Sequence, residues 1–183
     1  MKLLLIRHGE TKENQLGLII GQNSGHLSDA GKQSLVNLKK RTDLLHIDVV
    51  YSSDLKRCVD SAKLLFADRK IDIKLEPRLR EINFGDLQGK PFSVVQGDYL
   101  YDLSMKFPNG ESNEEFIKRT INAVNDIAKS EPGKDIVIIC HSGTISIIQA
   151  AVKNKKFIDE LEKKADHAEI KQIQIDDMLN YPL

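Results

Sequence analysis

Three short apolar runs, Leu3 to Ile6, Val49 to Tyr51 and Ile136 to Ile139, each stop at residues whose side chains titrate or hydrogen-bond. None alternates with polar residues, so each reads as a strand buried on both faces rather than one. Helical patterns lie between them. The stretch from Ser28 to Leu45 opens with Ser28 as a cap and spaces Leu35, Leu38 and Leu45 at helical intervals. Residues 52–66 offer Ser53 as a cap and Leu55, Val59, Ala62 and Phe66 on one face. A third helix is predicted over Asn113 to Lys129, through Phe116, Ile117, Ile121, Val124 and Ile127, and a fourth follows His141, through Ile145, Ile148 and Ala151. The chain then gives a short amphipathic helix and a last strand, Ile170 to Ile175.

Strands alternating with helices predict an α/β three-layer sandwich, a mainly parallel sheet flanked by helices, with ligands bound at the carboxyl ends of the strands. Those ends carry Arg7 and His8, Ser52 and Ser53 ahead of Arg57, and Cys140 and His141. Three strand ends therefore aim at one crevice. Residues 1–183 suit a single domain, since a chain of this length buries roughly 70% of the surface its unfolded form exposes. From about Gly85 to Ser112, Gly, Pro and aromatic residues occur without sustained periodicity, which predicts a loop-rich cap over the crevice.

Lys plus Arg and Asp plus Glu both number 27, without a dense basic run, so no nucleic-acid partner is expected. "MKLLLI" is too short for a signal-peptide core, and no stretch reaches the roughly eighteen apolar residues of a membrane helix. With only Cys58 and Cys140, far apart in sequence, the expectation is a reduced cytoplasmic protein. No membrane partner is expected, and a homodimer is left open.

Two arginines and two histidines at one rim point to an anion site, because guanidinium groups fork onto phosphate oxygens and helix starts add oriented N–H groups. A charge pair at 4 Å is worth about 4 kcal/mol at an effective dielectric near 20, so Arg7, Arg57 and backbone donors suffice for phosphate without a metal or other cofactor. His8, on a strand-to-loop turn before Gly9, suits a nucleophile, Gly9 letting phosphorus approach the backbone. Its neighbouring arginines disfavour the imidazolium in the empty site. Departure of an alkoxide needs a general acid. Glu81 in "LREINFG" is the first candidate, with Ile82 and Phe84 beside it to raise its pKa; Glu76 and Glu111 are the alternatives. His141 is a candidate donor to the transferring phosphoryl oxygens.

"RHGET" with Asn14, "YSSDLKRCVDSA", "LREINFGDLQG", "NGES" and "HSGT" occur in an order that resembles the histidine phosphatase superfamily, the phosphoglycerate-mutase-like phosphatases. The resemblance runs from residue 2 to about residue 150. It implies a phosphoglycerate-mutase-like fold, a metal-independent reaction, a phosphorylated His8, a phosphate pocket of Arg7, Arg57 and His141, a proton donor in Glu81, and contact of Asn14 with phosphate or substrate. Asn14 reads equally as a turn residue serving its own loop. Gly21 and Gly143 are the candidate substrate-binding positions. The chain departs from the pattern at Glu13, Ile20 and Leu87, and the last two are expected near the mouth of the site.

Other motifs fail. "GDLQGK" lacks the Ser or Thr of a phosphate loop, His8 and Glu10 have no P-C-x-x-C to complete a zinc deaminase site, and "CHSGT" is not G-x-S-x-G. Cys58 reads as packed, and His26, His46 and His167 as surface or satisfied histidines. The expected activity is hydrolysis of a small phosphorylated metabolite, a phosphomonoester, through a phosphohistidine at His8. Phosphoglycerate-mutase-type transfer and a non-catalytic phospho-ligand module are the alternatives. Hydrolysis is preferred because the cap between Gln88 and Gly110 holds only Lys90 and Lys106 as cations. Phe92, Tyr99, Tyr101 and Phe107 point to a partly apolar leaving group.

Overall fold

A computed structural model describes residues 1–183 except Gln96, Asp98, Leu100, Tyr101, Glu162, Lys164 and Leu183. Tyr101, offered above as part of the leaving-group wall, lies outside the described residues. The elements in chain order are β1 (Lys2–Arg7), α1 (Lys12–Gln15), α2 (Asp29–Thr42), β2 (Val49–Ser52), α3 (Lys56–Phe66), β3 (Ile73–Leu75), α4 (Asn113–Ser130), β4 (Ile136–Cys140), α5 (Ser142–Val152), α6 (Phe157–Leu161) and β5 (Ile170–Gln174). The fold is α/β, as expected.

The strands run in the order β3-β2-β4-β1-β5, with β5 alone antiparallel to its neighbour. In register, Leu3 pairs with Ile136 and Arg7 with Cys140, while Val49 pairs with Ile136. The apolar runs of the sequence are therefore the three central strands, and their carboxyl ends sit side by side. Because side chains alternate across a strand, each run feeds two cores. Leu4, Ile6, Val50 and Ile139 pack with Leu35 of α2 and Cys58, Leu65 and Phe66 of α3. Leu3, Leu5, Tyr51 and Ile138 pack on the other face with Val124 of α4 and Ile145 and Ile148 of α5. These are the three layers.

A third apolar cluster joins Ile82, Phe107 and Phe116 to Phe157, with Phe84, Leu87 and Tyr99 half-buried against it. It seats the segment after Leu79 over α4 and α5. That segment makes short 3-10 turns at Gly85–Leu87 and Phe92–Val94. No helix among the described residues is long and apolar enough to cross a membrane.

Some local expectations change. Ser28 does cap α2, its Oγ accepting from Gly31 N at 3.0 Å, but the helix stops at Thr42, before Leu45. Ser53 does not cap α3: Leu55 occupies that position without a side-chain cap, and the buried face runs through Arg57, Cys58, Ser61 and Leu65, leaving Val59 half-buried. A functional partner has claimed Ser53, as described below. Gly9 also has a packing role. A Cβ there would come within 2.7 Å of Leu35 Cδ1 and 3.0 Å of Gly31 O, so the glycine permits close packing of the β1 loop on α2.

Candidate active site

The three central strand ends and the first turn of α3 converge on one buried guanidinium. Arg57 is only 1% exposed. It holds the second position of α3, a helix start that aims backbone N–H groups at the same place. Its Nη2 donates to Gly21 O at 2.6 Å and to His141 Nδ1 at 3.1 Å, its Nη1 to Asn23 O at 3.0 Å, and its Nε to His8 Nε2 at 3.2 Å. Every partner is neutral, and no carboxylate forms an ion pair with Arg57 among the described residues.

These bonds set both histidine tautomers, because a guanidinium donates and never accepts. His8 Nε2 must carry a lone pair toward Arg57, which leaves the proton on Nδ1, where it is donated to Gly9 O at 2.8 Å. His141 Nδ1 is likewise an acceptor, so Nε2–H points at Ser53 Oγ, 3.0 Å away. Burial, followed by the charges of Arg57 and its neighbours, holds both imidazoles well below the usual histidine pKa. His8 is therefore neutral with its nucleophilic nitrogen unprotonated.

Arg7 stands on the other side of His8. Its Nη1 donates to Ala165 O at 2.7 Å, and its backbone carbonyl accepts from Ala168 N at 3.1 Å. The loop before β5 thus braces the end of β1. It also delivers His167, whose ring centroid lies 5.6 Å from that of His8, opposite His141 at 5.2 Å. The Nε2 of His167 is buried without a hydrogen-bond partner among the described residues, and burial with the Arg7 charge pushes its pKa down to about 4. The reading of His167 as a surface or satisfied histidine is corrected here. His26 and His46 are exposed and paired with Glu13 and Asp48.

Glu81 lines the same cavity as Arg7 and Arg57, half-buried. Its Oε1 accepts from Ile82 N at 3.1 Å and its Oε2 from Gly143 N at 3.2 Å. A Cβ on Gly143 would meet this carboxylate and, at 2.9 Å, the Phe116 ring, so only glycine lets the two approach. Glu76 is instead bound by Arg78, and Glu111 by Arg119 and Asn83 N. Arg119 also donates to the carbonyls of Arg78, Arg80 and Glu81 at 2.7–2.9 Å, which fixes the backbone that presents Glu81. Neither alternative carboxylate lines the cavity.

The remaining candidates divide. Gly21 lines the cavity with φ near 53°, its carbonyl holding Arg57, and a side chain there would strike Gln88. Asn14 lines the cavity too, while its Oδ1 accepts from Thr11 N and Oγ1 at 3.1 and 3.0 Å, so the loop does use it as a cap. His141 is fully buried between Arg57, Ser53 and Cys58, whose thiol burial pushes up to about 12. Ile20 lines the cavity, whereas Leu87 packs against the third apolar cluster. Among the described residues, no group of three or more His, Cys, Asp or Glu is arranged to hold a metal ion.

Residues 3–179 match the Histidine phosphatase superfamily (branch 1). The adenosylcobalamin/alpha-ribazole phosphatase of Escherichia coli K12 is 29% identical over 82% of this chain and 78% of its own. A metal-independent phosphoserine phosphatase of Arabidopsis thaliana is 31% identical over 80% of this chain and 66% of its own. The crystal structure of the alpha-ribazole phosphatase from Shigella flexneri superposes with a TM-score of 0.87 at 26% identity, covering 100% of this chain and 96% of that one.

Proposed function

The chain belongs to the histidine phosphatase superfamily, branch 1, and from that premise we propose that it hydrolyses a small phosphomonoester through a phosphohistidine on His8, without a metal. Phosphatases among its relatives support a phosphoric monoester hydrolase. The observation that carries the reading is the bond between a neutral imidazole nitrogen and a buried guanidinium that has no counter-anion among the described residues.

A phosphate dianion entering between Arg7 and Arg57 draws the guanidinium hydrogen bonds onto its own oxygens. Arg57 Nε then releases His8 Nε2, whose lone pair attacks phosphorus as the ester P–O bond breaks. Glu81, in its acid form, gives its proton to the departing alkoxide. The positive charge that develops on His8 is carried by Nδ1–H on the Gly9 carbonyl. In the second half, Glu81 as carboxylate takes a proton from water, the water oxygen bonds phosphorus, the N–P bond breaks, and inorganic phosphate leaves. His141 acts on the phosphoryl oxygens through Arg57, which its Nδ1 orients, and it becomes a direct donor only after Nδ1 gains a proton. We place this reaction in the reducing cytoplasm, where the buried thiols of Cys58 and Cys140 stay unpaired.

Turnover of radiolabelled phenyl phosphate, quenched in the presence of EDTA, tests the mechanism. An acid-labile, base-stable phosphoenzyme is expected, with both label and turnover falling on the order of a thousandfold or more in His8→Ala. Label on another side chain, or activity that chelator abolishes and magnesium restores, overturns it.

A further inference from the structure

Arg7, His8, Arg57 and Glu81 line a cavity of about 460 Å³. The rest of its wall is largely apolar, through Leu18, Ile20, Phe84, Phe107, Phe157 and Ile158. Arg7 and Arg57 are the cations among the described lining residues, and Glu81 is the carboxylate. The two cations of the cap serve elsewhere: Lys90 is exposed and does not line the cavity, and Lys106 donates to Glu115 at 2.5 Å. Asn113 faces the cavity from the start of α4, but its Nδ2 is taken by Tyr99 O at 2.6 Å. Tyr99 in turn stacks on Phe107, centroids 4.6 Å apart, and stiffens that wall.

This distribution of charge selects a substrate. A carboxylate or second phosphate on the leaving group would lose its water against isoleucine and phenylalanine with no cation to replace it. Resting on the phosphatase reading above, we propose that the leaving alcohol is uncharged and predominantly apolar, aromatic or branched. Esters of hydroxy acids and bisphosphates are disfavoured.

Phosphonates, whose P–C bond His8 cannot cleave, test the selection separately from catalysis. By titration calorimetry on the whole chain, naphthylmethylphosphonate should bind at least tenfold more tightly than benzylphosphonate, each buried methylene being worth roughly a fourfold gain. Carboxybenzylphosphonate should bind at least tenfold more weakly than benzylphosphonate. Leu18→Lys, on a half-buried loop position, should erase that second penalty, and Ile158→Lys on α6 should do the same if the first variant fails to fold. Equal or tighter binding of the carboxylated ligand by the unsubstituted protein overturns the proposal, as does failure of all three to bind. A missing phosphohistidine would strike the catalytic reading and leave the ranking of phosphonates untouched.

Discussion

Arg57 and Glu131 are both charged and both withdrawn from solvent, with 1% and 3% exposure, yet they are held in opposite ways. Glu131, at the end of α4, accepts from Lys74 Nζ and Lys134 Nζ, each at 2.6 Å, and from Tyr51 Oη at 2.9 Å. The bonds from Lys134 and Lys74 hold its carboxyl down to about 2. Among the described residues, Arg57 hydrogen-bonds to carbonyls and imidazoles alone. A buried charge that is fully neutralised pins elements together. One left without a counter-charge raises the energy of the empty fold and is relieved by an anion from outside. The contrast separates what holds this molecule from what it holds.

Replacing Arg57 should break the comparison most severely. Arg57→Met removes a preorganised donor to the charge that develops on the phosphoryl group, so turnover of phenyl phosphate should fall on the order of a hundredfold to a thousandfold. The same change removes an uncompensated buried cation but strands the acceptors of Gly21, Asn23, His8 and His141, two opposing effects on the unliganded Tm, so the rate and the ligand response carry the comparison. Orthovanadate, a phosphate mimic, should raise the Tm of the unsubstituted protein and leave that of Arg57→Met unmoved. A variant that loses stability but keeps its rate would mean that Arg57 is a structural residue like Glu131.

Glu131→Gln should do the reverse, and by less. The amide cannot serve two ammonium groups, and leaving part of that network unsatisfied costs about 1–3 kcal/mol. At roughly 2–4 °C per kcal/mol for a chain of this size, the Tm should drop by about 2–12 °C while kcat stays within about twofold. Thermal melts and steady-state rates on one preparation check both halves. A drop in kcat without a drop in Tm would erase the distinction.

The central sheet was legible because β1, β2 and β4 are buried on both faces and so lack polar interruption. β3 was not, because its three residues lie at a sheet edge, half-buried or exposed, with too little apolar pattern to register. α1 escaped for a related reason: it is a single turn without a buried residue, and its capping box of Thr11 and Asn14 is its main local signature. At the site, His8, Arg7, Arg57 and Glu81 could be placed together from strand ends and motif order. The pairing of His141 Nε2–H with Ser53 could not, since it joins residues 88 apart in sequence. His167 left still less trace. It reaches His8 only because β5 runs antiparallel beside β1 and Ala168, in the left-handed region at φ 54°, turns its N–H onto the Arg7 carbonyl. No local pattern encodes that contact.

The smallest expected effect is a single titration. His8, His141 and His167 all have folded pKa values below the ordinary 6.5, so on acidification the unfolded chain binds protons before the native one does. Their contribution to stability is complete above about pH 7 and declines as pH falls below about 6.5, by at most about 1.4 kcal/mol per pH unit for each histidine. Glu131 acts lower: its contribution is whole above pH 4.5 and is lost as pH falls toward 2. Melting curves between pH 7.5 and 4.5 therefore read the histidines without the carboxylate. Glu131→Gln should shift the whole curve down without changing its slope in that window. His167→Gln should flatten the slope by less than one proton's worth, because its half-buried ring, facing Arg7, Glu10 and Asp166, is partly screened by solvent. The decisive pattern is a slope that responds to His167 and an intercept that responds to Glu131. A stability curve flat from pH 7.5 to 4.5 would mean that the imidazoles accept protons as readily in the fold as outside it, and the neutral nucleophile would lose its electrostatic basis.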